Sequence, residues 1–289
     1  MPCGIIIIDK PEGWTSQDVA AKLRGVFHER RVGHGGTLDP MATGVLPIFI
    51  GRATRAVEFF ESAEKEYVAG LRLGIQTNTQ DITGEVLEEQ PVTVTREQVE
   101  EVLKRFLGPQ EQIPPMYSAV KIGGKKLYEL ARQGKTVERK ARKIEILELE
   151  LLEGDGADDT IRVRCSKGTY IRTLCHDIGQ ALGCGGCMSS LRRTKAGCYE
   201  LARSVTMDAL LAHENPESLL LPVDSLFAHL PVHKVGEAQL KYVYNGAAVK
   251  ASVADGLYRV YAPDGAFLMV GRAKDGMLHT EKSFFEVKE

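Results

Sequence analysis

RVGHGGTLDPMATGVLPIFIG, residues 31–51, divides into a loop and a strand. Gly33, Gly35 and Gly36 allow backbone angles and close approaches that residues with side chains cannot make. Pro40 restricts Leu38-Asp39 toward extended geometry. The result is a shaped loop that presents one carboxylate, Asp39. Asp before Pro is also a common turn former, so the loop by itself assigns no chemistry. The following Leu46–Ile50 is a short apolar run, the pattern of a buried strand.

Working outward, Ile5 to Ile8 read as another buried strand. Ser16 is placed to cap a helix running to about Phe27, with Val19, Leu23, Val26 and Phe27 on one side. Beyond the loop, a helix is expected from Ala53 to Ser62 and a strand from Glu66 to Ile75. Thr95-Arg-Glu-Gln98 is a capping box that opens a helix through Phe106. Gln112-Ile-Pro-Pro-Met-Tyr117 is extended, since neither proline suits a helix interior. Lys143 to Leu152 and Thr160 to Ser166 alternate as strands, the second with Ile161, Val163 and Cys165 on one face. Thr169 then caps a helix through about Leu182. Strands and helices do not alternate as a regular βαβ series, so the fold class is α+β.

Near residue 230 the pattern changes to short strands, with turn signals at Asn245-Gly246, Asp255-Gly256 and Asp264-Gly265. About 60 residues of this kind suit a small β-barrel or sandwich. The expected organisation is a domain over 1–229 and a separate module over 230–289.

The chain has 289 residues, of which 43% are hydrophobic and 26% charged, an ordinary globular balance. No apolar run approaches the roughly 20 residues that cross a bilayer. The start, MPCGIIIIDKPEGW, lacks a basic leader region and reads as a strand rather than a signal peptide, so a cytoplasmic location is expected. Six cysteines without an export signal argue for thiols rather than disulfides. Cys184 and Cys187 have metal-like spacing, but a structural zinc site needs four ligands and no second such pair exists.

The net charge is only -2, yet its distribution is uneven. Residues 121–143 hold nine Lys or Arg against two Glu, a local balance of +7; residues 81–112 hold eight acids against three bases, a balance of -5. The basic strip, with Tyr128 among its charges, suits either a polyanionic backbone or a solvated face. A nucleoside triphosphatase built on the glycine loops is a poor fit, because neither GHGGT nor GGKK forms the GxxxxGK[ST] cradle.

Seven segments, in order, resemble the TruB family of tRNA pseudouridine synthases: DKPEGWTS (9–16), RVGHGGTLDPMATGVLPIFIG (31–51), KEYVAGLRLG (65–74), DITGE (81–85), IPPMYSAVKIGGKKLYELARQG (113–134), CSKGTYIRTLCHDIG (165–179) and SSLRRTKAG (189–197). The resemblance implies a mixed, largely antiparallel sheet flanked by helices, followed by a PUA-like RNA-binding module. It implies isomerisation of the uridine at position 55 in the tRNA T-arm loop, with the base flipped out. Asp39 resembles the family's nucleophile and Arg172 its partner. Tyr67 resembles the tyrosine that stacks on the base and takes the C5 proton. Tyr170 and Leu191 match positions lining the base pocket, His34 a contact to T-loop nucleotides, and Lys10 a support of the active-site loops. The insertion at about 115–143 resembles a clasp on the T arm, expected to be mobile without RNA. The implied partner is tRNA alone, bound by a monomer, with no membrane, metal or cofactor. Gln17 and Lys140 depart from the pattern without touching the chemistry. A catalytically silent tRNA-binding or tRNA-folding protein on the same scaffold is the alternative.

Overall fold

Four consecutive isoleucines need apolar neighbours on both sides, and a strand covered on both faces supplies them. In the computed structural model, which describes residues 1–286, Gly4–Lys10 (β1) is such a strand. Its Ile6 and Ile8 enter one apolar cluster; Ile5 and Ile7 enter a second on the opposite face.

The other principal strands are Thr43–Ile50 (β2), Lys65–Leu73 (β3), Gly108–Gln112 (β4), Arg142–Gly154 (β5), Asp158–Cys165 (β6), Gly186–Ala196 (β7) and Val205–Thr206 (β8). They lie in the order β8-β1-β2-β7-β3-β6-β5-β4 within a ten-stranded sheet. The β8–β1 and β2–β7 pairs are parallel, and the other pairs on this path are antiparallel. The sheet is therefore mixed and largely antiparallel, as expected. Helices Ser16–Val26 (α1), Arg96–Arg105 (α2) and Ile171–Leu182 (α3) bury Val19, Leu23, Val99, Leu103, Leu174 and Ile178 on its first face. Ile161, Val163 and Cys165 point into the same cluster.

Local details depart from expectation where a polar group has a better use. Thr15, not Ser16, caps α1, its hydroxyl accepting from Asp18 N. The Ser16 hydroxyl instead accepts from Leu38 N at 2.9 Å and so reaches the Asp39 loop. Thr169 does not cap α3; its hydroxyl donates to Ser166 O. Tyr170 is the cap residue, and the buried Gln112 amide clamps its N–H at 2.8 Å and its carbonyl at 3.1 Å. The helix expected over 53–62 is a 3-10 turn, Gly51–Ala56, followed by one α turn, Val57–Phe60. The strand expected through Ile75 breaks at Gly74, and Ile75–Thr77 pairs separately with Val86–Glu89. Strand β7 was not anticipated at all, although it lies between β2 and β3.

The C-terminal residues form Val232–Lys234 (β9), Glu237–Tyr244 (α4), Val249–Lys250 (β10), Gly256–Tyr261 (β11), Phe267–Lys274 (β12) and Met277–Ser283 (β13), with sheet order β9-β11-β12-β13-β10. Asp264-Gly265 turns β11 into β12 as expected. Asn245-Gly246 makes no hairpin: it closes α4, with Gly246 N donating to Val243 O. The sheet has its own core around Val260, Leu268 and Leu278. Phe267 and Phe284 pack on Phe227, which meets Phe59 edge-on at 5.1 Å, joining this sheet to the second face of the larger one. No helix among the described residues is long and apolar enough to cross a membrane, and the six cysteines are free, with Cys3 and Cys198 exposed.

Gly44 on β2 pairs with Arg193 on β7 and packs against its backbone. Its φ is +101°, and a Cβ there would lie 2.2 Å from Arg193 O. Gly44→Ala is expected to lower stability by about 2–4 kcal/mol, combining backbone strain with a clash. Gly246→Ala, also at positive φ but in open space, is expected to cost about 1–2 kcal/mol. Urea unfolding midpoints check the order; equal midpoints would contradict the packing at Gly44.

Candidate active site

The Asp39 loop is fixed by backbone bonds before any charge is considered. Asp39 O accepts from Ala42 N, closing a turn over Pro40-Met41, and Pro40 O accepts from Gly13 N. Lys10 is fully buried. Its ammonium donates to Pro40 O at 3.2 Å, Pro11 O at 2.9 Å and Trp14 O at 2.6 Å. Burial pushes that ammonium down to about 8, while the nearby Asp39 and Glu12 charges oppose the fall. Lys10 thus ties the turn after β1 to the turn carrying Asp39.

Arg172, on the first turn of α3, brings its Nη2 to 3.1 Å from Asp39 Oδ2 and 3.3 Å from Oδ1. The same nitrogen donates to Tyr117 O at 2.8 Å. Nη1 lies 3.5 Å from Asp81 Oδ2. Asp81 is itself held: its Oδ1 accepts from Thr79 Oγ1 at 2.9 Å, Thr83 N at 3.0 Å and Thr83 Oγ1 at 2.6 Å. One guanidinium therefore faces two carboxylates. The side chains of Arg172 and Asp81 are only 7% and 6% exposed, whereas Asp39 is 35% exposed. Asp39 is thus the member of the trio that an incoming molecule can reach. Burial raises its carboxyl above the ordinary aspartate value; Arg172 opposes that rise, Asp81 adds to it and Lys10 opposes it.

Tyr67 is on β3, opposite Val163 of β6 and Arg193 of β7. It is buried in the cluster that also contains Leu38, Ile171 and Leu191. Burial raises its phenol, and the Arg193 charge opposes this. Leu191 is a buried residue of β7, and Tyr170, half-buried, immediately precedes α3. His34 is half-buried; its Nε2 is 3.0 Å from Gln17 Nε2, and its Nδ1 is buried without a hydrogen-bond partner among the described residues. Burial pushes its imidazole below the usual histidine value, with Arg193 adding to the fall.

The sequence-predicted residues divide into two groups. Asp39, Arg172 and Lys10 are joined through the loop and its charges; Tyr67 and Leu191 belong to the same apolar cluster as Leu38, the neighbour of Asp39. His34, against Gln17, and Tyr170, clamped by Gln112, stand outside both groups. Sequence reasoning missed Asp81 and Arg193. For Asp81 a signal existed: Thr79 and Thr83 stand two residues to either side, the spacing of local side-chain turns. An apolar cavity of about 230 Å³ among Phe59, Phe227 and Leu230 lies at the junction with the C-terminal sheet and shares no lining residue with the Asp39 site.

The TruB family pseudouridylate synthase N-terminal domain matches residues 24–171, and the tRNA pseudouridylate synthase B C-terminal domain matches residues 172–228. A tRNA pseudouridine synthase B of Syntrophomonas wolfei is 46% identical over 280 residues, covering 94% of this chain and 94% of that protein. One from an Azoarcus species is 45% identical over 282 residues, covering 96% and 94%. Among solved structures, a Cbf5-Nop10-Gar1 complex contains a chain that superposes with a TM-score of 0.73 at 30% identity, covering 98% of this chain and 85% of that one.

The electrostatics are testable by direct titration. With ¹³C-labelled aspartate, the Asp39 carboxyl is expected to titrate above an ordinary aspartate. Arg172→Met should move it further up, and Asp81→Asn should move it down. An Asp39 titration in Arg172→Met at or below the wild-type value would contradict this assignment. Arg172→Met should also lower stability by about 3–5 kcal/mol, since it leaves buried negative charge uncompensated.

Proposed function

The chain belongs to the TruB family of pseudouridylate synthases, and from that premise we propose that it isomerises the uridine at position 55 in the T-arm loop of tRNA, with Asp39 as the covalent catalyst. The observation that carries this reading is the Asp39–Arg172 pair: a partly open carboxylate aimed by a buried guanidinium.

Making pseudouridine breaks the N1–C1′ bond, turns the uracil and joins C5 to C1′. C5 loses a proton and N1 gains one, so no electrons are exchanged with an outside donor. Attack at C1′, addition to the ring and a glycal route all begin with Asp39 ionised. Desolvation works against that state, and the Arg172 and Lys10 charges favour it. The planar guanidinium also orients the carboxylate: Nη2 faces both Asp39 oxygens while Nη1 is turned to Asp81.

The target base is stacked in a folded loop and must be everted, at a cost of a few kcal/mol. Tyr67 supplies a stacking face, and its oxygen takes the proton from C5 in the phenolate form, which the Arg193 charge favours and burial opposes. Tyr170 and Leu191 complete the apolar pocket. His34, its imidazole pushed below the usual histidine value by burial, stacks on and hydrogen-bonds the T-loop nucleotides. Lys10 acts from beneath by fixing the loop.

The RNA backbone is gripped by the insertion at 115–143. Its Lys121–Ile122 and Lys125–Lys126 strands form a hairpin leading into Leu127–Ala131. Tyr128 is flanked by Lys126 and Arg132 at 5.3 and 5.4 Å from its ring, a surface suited to a phosphate-and-base strand. The insertion adjoins the site through Tyr117 O, so its closure would bear on Arg172. In this reading residues 1–229 carry catalysis, residues 230–289 form a PUA-like RNA-binding module, and the working unit is a cytoplasmic monomer on tRNA.

Asp39→Asn is expected to reduce single-turnover pseudouridine formation on the order of 10³-fold or more while leaving tRNA affinity within about twofold, since a neutral amide keeps the shape of the site. Full activity in that variant would reject the catalytic role and favour a silent binder. The wild-type rate should fall as pH drops through the raised Asp39 titration. Separately, Lys125→Ala/Lys126→Ala should weaken tRNA binding and reduce its log–log salt slope by up to about 2, given one counterion per lost phosphate contact. An unchanged slope would remove the insertion from the RNA interface.

A further inference from the structure

Arg193 is 1% exposed and heads the fully buried side chains by volume. A buried guanidinium is costly unless its donors are used. Among the described residues it forms no ion pair; its hydrogen bonds go to the main chain. Nε donates to Val45 O at 2.7 Å, and Nη2 donates to Gly36 O at 3.1 Å. Gly36 and Val45 lie on the two limbs of the Asp39 loop, one entering and one leaving. The backbone of Arg193 also pairs with Gly44 on β2 and with Tyr67 on β3.

We propose that Arg193 is the positioning residue of the catalytic loop: its guanidinium ties both limbs of that loop to the strand beside Tyr67, holding carboxylate and phenol at a set separation across the target uridine. This rests on the roles given above to Asp39 and Tyr67. Its planar fork matters because Nε and Nη2 stand at a fixed separation and direction, so the two carbonyls are held in one geometry, whereas an ammonium would have to draw both toward a single nitrogen on a flexible stem. Its charge has a second consequence. It counters the effect of burial on the Tyr67 phenol, and it adds to the lowering at His34, Lys10 and Lys65. Arg193 is thus a fixed positive charge beneath the loop, facing those groups from β7.

The test compares Arg193→Lys and Arg193→Met in the full chain on an unmodified tRNA transcript, with Asp39→Asn alongside. Both Arg193 variants are expected to bind tRNA within about threefold of wild type but to lose single-turnover rate on the order of 10²-fold, the scale of a small misplacement of reacting groups. The Tyr67 phenol, followed by ¹³C-tyrosine resonances and assigned with Tyr67→Phe, should titrate higher in Arg193→Met than in wild type, with Arg193→Lys closer to wild type. A merely structural residue would lower melting temperature and affinity together and leave the phenol titration where it was; that result overturns the proposal. So does a rate within threefold of wild type in either variant. If Arg193→Met does not fold, Arg193→Lys decides alone through rate against affinity: a loss on the order of 10²-fold at near wild-type tRNA binding supports the role, and a rate within threefold of wild type, or affinity and melting temperature falling with the rate, overturns it. An active Asp39→Asn would reject the catalytic reading itself; an inactive one beside unimpaired Arg193 variants would reject only the role of Arg193.

Discussion

The guanidinium of Arg172 faces Asp39 and Asp81 together, and the arrangement of the site follows from that contact. Two carboxylates in one partly closed site repel each other, and burial penalises both charges. A single cation between them makes the arrangement tenable. The two acids are not equivalent. Asp81 is enclosed, with one oxygen saturated by Thr79 and Thr83, so it acts as the fixed end. Asp39 is the open end. The cation is aimed by the enclosed acid and presented to the accessible one.

The polar strand β7 brings these pieces together. Arg192 and Arg193 are neighbours on it and work on opposite faces. Arg192 pairs with Asp9 at 2.8 Å and donates to Thr43; Arg193 reaches Gly36 and Val45. The DKP turn, the Asp39 loop and β2 are all tied to one strand, whose other neighbour carries Tyr67. Loops holding catalytic groups are most exact when a rigid element braces them. Here the brace is central in the sheet rather than at its edge.

Legibility in the sequence followed a physical divide. Ile5–Ile8, the alternation of Ile161, Val163 and Cys165, and the Thr95/Gln98 box were readable because burial or local capping alone accounts for them. Strand β7 was not, since GCMSSLRRTKA has neither the apolar run nor the alternation of a buried strand. Its Arg193 is buried because loop carbonyls distant in sequence accept from it, and no local pattern announces that. Ser16 and Thr169 were misread as caps for the same reason: each hydroxyl is used elsewhere, Ser16 on the Asp39 loop itself. Asn245-Gly246 carried a hairpin signal, yet α4 ends there. At the candidate site, Asp39, Arg172 and Tyr67 were singled out through a resemblance spread over seven segments, and the structure joins Asp39 to Arg172. Asp81 lay inside one of those segments, but its role needed the fold to bring it to Arg172.

The most direct measurement is a structure of the protein bound to a T-arm stem-loop with an intact target uridine and Asp39→Asn in the site. The account predicts the nucleoside swung out of the loop, its base between Tyr67 and Leu191, and its sugar or ring within about 3.5 Å of residue 39, the distance of a near-attack geometry. A complex in which that uridine stays stacked in the RNA, with residue 39 facing only solvent, would contradict it.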